Sequence, residues 1–569
     1  MHHYDLAFKP SIGLYGQHDP SAALFVDGEL VFAVEEERLT RQKHAPNTFP
    51  SRAIRACLDR RDLALGDIDR VLLPYEPSLR RKILPHYLSR AARAPGLVQK
   101  AYRLQQTAVR ESQAQFFPTR QIEQRLAELG EVPDVETLPH HSCHAASAFH
   151  PSGFEEAVIL TVDAKGEYDS TVVWHGTPDG LERVRTYEHP NSLGLFFAAV
   201  TEFLGYHMFN GEGKVMGLAP YGSRDDDIEA RLREVIDTGV DYDVTELITG
   251  FDARNAVGRL ETLLDRERVN GPGEFTTFET DLAHVAQRLL EETVVDIAET
   301  YCRRLGTGNV ALAGGVMLNC KANQAVIESP RVDDVFIQPV AHDAGLALGA
   351  GWLHQNPASV PPFTHAYWGP EYDTAGVRAT LEKNKLDYHE PDDLAGYVAE
   401  RLADGKLVGW FQGRLELGPR ALGNRSILAD PRTVESRDRI NRYVKHREEW
   451  RPFAPSLLES AADEYLTNDR PDPFMITTSN VPAERLDDIP AVLHPADGTT
   501  RPQTVRENQN PRYHRLISAF ADITGVPVLL NTSFNDNGEP IVNTPTEAVK
   551  DFYGMGLDVL AVDDLVLEK

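Results

Sequence analysis

Residues 139–150 read PHHSCHAASAFH, which places three histidines and one cysteine within five positions. Neutral imidazoles ligate first-row metals, and His140 and His144 are four residues apart, so a helix presents both from one face to a single ion. Two nitrogens leave such an ion short of its usual donor set, and other segments must supply the rest. On the same helix His141 lies about 100° away and Cys143 falls off the ligand face, so neither joins the set. The alternative is that these histidines are ordinary polar or core residues at the start of an amphipathic helix.

A second stretch suggests anion chemistry. Between Arg414 and Arg451 nine arginines and Lys445 stand against six acids, a local net of 10 − 6 = +4 in a chain of net charge −28. The phrases WFQGRLELGPRALGNRSILADPR and KHREEWRPFAPS set arginines among Gly and Pro rather than along a helix face. Guanidinium forks on such turns suit bidentate binding of phosphate or carboxylate. The competing reading is a solvated surface of ion pairs with the intervening acids.

These residues need elements to position them. SAALFV and ELVFAV flank Asp27-Gly28, a type I′ hairpin signal. AVILTV and TVVWHG bracket the acidic loop DAKGEYDS, a second strand–loop–strand unit, and the two units together suggest a duplicated nucleotide-binding lobe. NVALAGGVMLNCKANQAVIES reads as a buried strand, a Gly-Gly turn and a helix, bringing backbone N–H groups toward a phosphate. Residues 352–373, rich in proline, mark a linker, with a boundary near 365. Beyond it, TAGVRATLEKNKL and DDLAGYVAERLADG carry helical patterns and KLVGWF an apolar strand, a new α/β unit.

At 569 residues the chain exceeds one ordinary core, so two or three domains are expected. Four cysteines without a CxxC pair exclude a disulfide framework and a thiolate metal site, and no secretory leader or long apolar run is found, which together predict a cytoplasmic protein without a membrane span. The net charge disfavours nucleic acid as a partner.

The combination GRLELGPRALGNRSILADPR, REEWRPFAPS and LNTSFNDNGEPIVNTPTEA, with HDPSAALFVDGELVFAVEEERLTRQKH, HHSCHAASAF, GEGKVMGLAPYG and AGGVMLN in the N-terminal half, resembles the O-carbamoyltransferases of nodulation-factor, cephem and tobramycin biosynthesis. The resemblance runs through nearly the whole chain in the same order. It implies an α/β protein with two domains. Residues 1–365 would form an actin-like, sugar-kinase-like ATPase domain of two lobes, similar to the tRNA threonylcarbamoyl-transferring enzymes. Residues 366–569 would form a threonylcarbamoyl-adenylate-synthase-like (YrdC-type) α/β domain. The implied activity is ATP-dependent transfer of the carbamoyl group of carbamoyl phosphate, via carbamoyl-adenylate, to a hydroxyl of a small-molecule acceptor.

The resemblance also implies the residues. His140, His144, Asp163 and Asp343 match the metal ligands, with iron(II) as the family precedent and manganese or zinc compatible with the donors. Gly314, Gly315 and Asn319 would meet the nucleoside end of the adenylate, with Glu167 hydrogen-bonding nearby; a helix N-cap is the other reading of Asn319. Lys43 matches a lysine near the nucleotide, or is a solvated helix-end lysine. Arg420, Lys445 and Arg451 would clamp carbamoyl phosphate, with Arg501, Asn531 and Ser533 beside them. ATP would bring Mg²⁺. His18 is the candidate general base for the acceptor hydroxyl, since imidazole titrates near neutrality, or a turn residue bonded to backbone.

Ala164 departs from the family pattern, which has glycine after the metal-bearing strand. If that position needs positive φ, alanine costs about 1 kcal/mol and reshapes the loop. Residues 76–130, helical and basic, line either the acceptor cleft or a contact in a homodimer. Two rivals stand beside this reading: a tRNA-modifying carbamoyl-transfer protein, and a non-catalytic ATP-binding regulator that would have no use for the arginine segment.

Overall fold

The computed structural model describes residues 2–13, 15–16, 18–85, 88, 92, 96–116, 119–250, 253–271, 275–357, 360–448, 450–468 and 470–569. Its first sheet contains β1 (Tyr4–Lys9), β2 (Ser21–Val26), β3 (Glu29–Glu35), β4 (Arg70–Leu73) and β5 (Asp134–Thr137), in the order β3-β2-β1-β4-β5. β1 to β3 form an antiparallel meander, and β4 and β5 add parallel strands beside β1. Asp27 and Gly28 turn the β2–β3 hairpin with φ of 51° and 89°, as the type I′ signal requires.

The second sheet repeats this wiring. It holds β6 (Ala157–Val162), β7 (Asp169–Thr177), β8 (Gly180–Glu188), β9 (Asn309–Ala313) and β10 (Asp334–Ile337), in the order β8-β7-β6-β9-β10. Again three strands form an antiparallel meander, and two parallel strands follow beside the first. The AVILTV run of β6 lacks alternation because the strand is central and buried along its whole length.

Two helices lie between these sheets. The helix His140–Phe149 follows β5 yet packs on β6 and β9; the helix Leu346–Gln355 follows β10 yet packs on β1, β2 and β4. The pair also pack against each other, so closely that a Cβ on Gly349 would stand 1.8 Å from the carbonyl oxygen of Cys143. The small residues of HAASAF and LALGAG therefore serve the helix crossing.

A third sheet follows, of β11 (Val408–Phe411), β12 (Arg425–Ala429), β13 (Ala454–Leu458), β14 (Gln503–Val505), β15 (Val528–Ser533), β16 (Val559–Val562) and β17 (Leu565–Glu568), ordered β14-β13-β15-β12-β11-β16-β17. The expected helices appear as Thr374–Lys383 and Leu394–Ala403, and KLVGWF supplies β11. Residues 356–373 contain no helix or strand among those described, but they are no loose tether. Phe363 N donates to Pro151 O (3.0 Å), Ala33 N to Trp368 O (3.1 Å) and Leu417 N to Ala366 O (2.8 Å), so this segment is held from both sides. Its aromatic side chains are the reason: Phe363 packs on Trp352 and stacks on Trp368.

Among the described residues no helix is long and apolar enough to cross a membrane. One helix start shows a cap that sequence reading passes over. Pro50 precedes the helix Ser51–Asp59 and has no side-chain acceptor; buried Glu36 supplies it, accepting from Ala53 N (2.7 Å) and Arg52 N (3.3 Å).

Candidate active site

His140 and His144 project from the helix that begins directly after Pro139, Asp163 directly follows the buried strand β6, and Asp343 opens the turn before the helix Leu346–Gln355. One ligand atom from each of the four lies within 4.8 Å of the others. His140 Nε2 sits 3.2 Å from Asp163 Oδ2 and 3.8 Å from Asp343 Oδ1; His144 Nε2 sits 4.0 Å and 3.9 Å from the same atoms. Both ring nitrogens of His144 are buried without a hydrogen-bond partner. Orphaned nitrogens beside two converging carboxylates fit a divalent ion of the first row.

The electrostatics follow from this crowding. Burial pushes His140 down, but its hydrogen bond to Asp163 and the charges of Asp343 and Asp163 carry it to about 9. His144 is drawn to about 3 by burial and by the charge of His140. Burial raises Asp343, yet Lys9, then His140, hold it below the usual carboxylate range. His141 bonds Thr161 Oγ1 (2.9 Å) and the carbonyl of Asp169 (3.0 Å), so it is structural, and Cys143 is buried away from the four.

Three expectations need correction or narrowing. Ala164 does not adopt positive φ, so the cost anticipated for alanine does not arise; its carbonyl accepts from Ser192 Oγ at 2.7 Å. Glu167 turns to backbone, accepting from His140 N (2.9 Å) and Glu76 N (2.7 Å), which caps the helix His140–Phe149. Asn319 is the N-cap of the helix Cys320–Ile327, and its amide pairs reciprocally with Gln287 (2.8 and 3.0 Å), so the capping reading holds. Gly314 has φ of 95°, and a Cβ there would meet Val162 O at 2.2 Å, so only glycine fits. Gly315 N donates to Asp163 Oδ1 (3.3 Å), fixing a carboxylate of the four-residue cluster.

His18 lies in the loop between β1 and β2. Its Nδ1 pairs with Asp19 Oδ2 (2.8 Å), its ring stacks on Phe209, and its carbonyl accepts from Lys9 Nζ. Asp19 also takes His44 Nδ1 at 2.8 Å. Lys43 stands at the surface but is walled in; desolvation, with Arg451, Arg38 and Lys214, holds it below its ordinary value despite Glu37.

The arginine segment divides. Arg425 is buried over Phe411 and donates to the carbonyls of Asn424 (2.9 Å) and Gly413 (3.1 Å); Arg432, Arg437 and Arg439 pair with Asp430, Asp438 and Asp558. These are structural. Arg420, Lys445, Arg447, Arg451 and Arg501 instead crowd one another. Burial and then Arg501 lower Arg420 to about 9; burial, Arg451 and Arg501 lower Arg447. Lys445 falls below its ordinary value through burial, Arg447 and Arg451, while its ammonium is held by Ser533 O (2.6 Å) and Asn535 Oδ1 (3.0 Å). The Nε atoms of Arg420 and Arg501 are buried without partners. Asn531 Nδ2 is engaged by Ser456 Oγ (2.9 Å), and its Oδ1 is buried without a partner. Glu448 lies 3.8 Å from Arg451 and 3.4 Å from Lys214. Arg447 and Lys214 were not singled out by spacing; the dense REEWRPF run was the only signal for the first.

Arg420 Nη2 reaches Leu318 O at 3.5 Å, so the turn 314–319 touches Asp163 at one end and the cation cluster at the other. The two halves meet nearby through His494 and Gly217 O (2.9 Å), Tyr221 Oη and Trp450 O (3.1 Å), and Asn323 Nδ2 and Ile476 O (2.9 Å).

A paired-histidine carboxylate cluster and a guanidinium cluster stand on a duplicated sheet framework. Residues 11–352 match the family described as "Carbamoyltransferase N-terminus" and residues 399–569 that described as "Carbamoyltransferase C-terminus", so the chain belongs to the carbamoyltransferase family. It is 38% identical to "Nodulation protein NolNO" of Sinorhizobium fredii, over 97% of this chain and 79% of that protein. It is 33% identical to a "3'-hydroxymethylcephem-O-carbamoyltransferase" of Amycolatopsis lactamdurans, over 77% and 89%. Among solved structures, full-length HypF in a phosphate- and nucleotide-bound form aligns with a TM-score of 0.35 at 13% identity, covering 62% of this chain and 55% of that one.

Proposed function

We propose that the protein is an ATP-dependent O-carbamoyltransferase that activates carbamoyl phosphate as carbamoyl-adenylate and passes the carbamoyl group to a hydroxyl of a small-molecule acceptor. The observation that carries this is the cluster Arg420, Lys445, Arg447, Arg451 and Arg501, buried beside one another with Glu448 facing Arg451 and with the Nε atoms of Arg420 and Arg501 left without partners. Such crowding is stabilised by a polyanion, and Mg²⁺-ATP with carbamoyl phosphate is one.

In this reading residues 366–569, as a YrdC-type domain, carry activation. Water releases phosphate from carbamoyl phosphate, the resulting carbamate oxygen attacks the α-phosphorus of ATP, and pyrophosphate leaves. Arg447, Arg451 and Lys445 bind the phosphates, and Ser533 orients the Lys445 ammonium. Residues 1–365, as an actin-like domain, carry transfer. The acceptor oxygen attacks the carbonyl carbon, the bond to the adenylate phosphate breaks, and AMP departs. His18 takes the acceptor proton at Nε2, its Nδ1 being held by Asp19. His140, His144, Asp163 and Asp343 would hold the ion, iron(II) by family precedent or manganese or zinc. When bound it supplies a positive charge that holds a phosphate oxygen and polarises the carbonyl. Gly314 and Gly315 give a turn without side chains along which the nucleotide would pass, their N–H groups being held by Ala341 O and Asp163 Oδ1, and Lys43 would lie near the nucleotide.

The test is an incubation with carbamoyl phosphate, Mg²⁺-ATP and iron(II) without acceptor, following phosphate, pyrophosphate and carbamoyl-adenylate by mass spectrometry. The adenylate forms in the wild type and in His140→Ala and is lost in Arg451→Ala. ATP binding without adenylate at any salt concentration would instead indicate a regulator.

A further inference from the structure

Strand β1 ends on Lys9, a lysine whose side chain is only 4% exposed. Its ammonium lies 3.0 Å from Asp343 Oδ2 and donates to the carbonyl of His18. Asp343 keeps only its other oxygen, Oδ1, for His140 and His144. Lys9 thus withdraws one oxygen from the ligand set and compensates one of its two negative charges. Glu167, the next buried carboxyl, faces the backbone N–H groups of Glu76 and His140. With neutral histidines, Asp163, Asp343 and Lys9 sum to −1. A divalent ion brings that to +1; without the lysine the loaded centre would be neutral.

We propose that Lys9 sets the charge of this centre, lowering its affinity for the ion and raising the affinity of the loaded site for a phosphoester anion. The proposal deepens the carbamoyl-transfer reading, in which that anion is the phosphate of the adenylate. Lys9 acts through Asp343 and through the field, so it is a positioning residue. Its link to the His18 carbonyl also fixes the loop that carries the base.

The opposite signs of the two effects separate this role from a merely structural one. Calorimetric titration with Mn²⁺ alone should show Lys9→Gln, which keeps an amide donor, binding the ion about tenfold more tightly than the wild type, with Lys9→Arg close to the wild type. AMP should then bind Mn²⁺-loaded Lys9→Gln about tenfold more weakly. Lys9→Met serves as the second neutral variant should the glutamine fail to fold, with the metal-free thermal transition as the control. Unchanged or weaker Mn²⁺ binding in the neutral variants, or AMP affinity rising with it, would overturn the proposal. The Mn²⁺ titration needs no turnover, so a protein that makes no carbamoyl-adenylate yet shows the Mn²⁺ effect loses the transfer reading and keeps the role of Lys9.

Discussion

Arg447 is held among like charges. Its guanidinium is fixed by Asn441 Oδ1 (2.8 Å) and lies over Phe453, so it cannot swing out to water, and it faces Arg451 and Arg501. Replacing it with methionine removes that repulsion and, in the proposed function, deletes a phosphate ligand. Arg447→Met is therefore expected to raise the melting temperature of the ligand-free protein while weakening carbamoyl phosphate binding about 10- to 100-fold; scanning calorimetry and titration check the two halves, and a fall in both would refute the argument. Glu36 gives a pH effect of definite sign. Burial raises its carboxyl from an ordinary 4.5 to about 7, against the opposing pull of the N–H groups of Ala53 and Arg52. The folded state then holds a proton that the unfolded chain releases, so the stability it contributes is present below 4.5 and lost as pH rises through 7. Urea titrations at pH 5 and pH 8 should show the wild type losing about 2.5 kcal/mol more than Glu36→Gln.

At the scale of elements, the helices His140–Phe149 and Leu346–Gln355 cross with no room for a side chain at Gly349. Gly349→Ala forces them apart at Cys143, one residue before His144, and is expected to cost about 3 kcal/mol and to weaken Mn²⁺ binding in the same preparation; denaturation and metal titration would expose a neutral substitution. Elements with a strong local signature were legible in the sequence: the Asp27-Gly28 hairpin, the unbroken apolar run of β6, the strand KLVGWF, and the pair His140 and His144 at helical spacing. The two aspartates were not, because nothing local marks Asp163 or Asp343 as a ligand; only the family resemblance brought them in. Glu167 escaped as a cap since its acceptor role depends on a helix that starts 27 positions earlier. Lys9 escaped because a charged residue ending an apolar strand ordinarily points to solvent, and only the turn bearing Asp343 gives it a buried partner. Ala164 misled in the other direction, since φ at that position depends on how the loop packs and not on the residue a family usually places there.

The whole molecule carries a net charge of −28 while gathering Arg420, Lys445, Arg447, Arg451 and Arg501 in one cluster. Added salt screens the acidic surface, so the melting temperature should rise between low ionic strength and about 0.5 M KCl, where the Debye length falls to a few ångströms. A flat or falling curve would mean that surface ion pairs outweigh the repulsion. The positions of the two central helices have a larger consequence. Each half of the N-terminal region sends its last helix across to complete the core of the other, in the manner of two subunits that have swapped arms, here within one polypeptide. A break in the chain between residues 150 and 157 therefore yields no self-sufficient piece: the fragments each lack an arm that only the other carries. Made together they should reassemble, and the ligand histidines would then be carried by one fragment and the ligand aspartates by its mate.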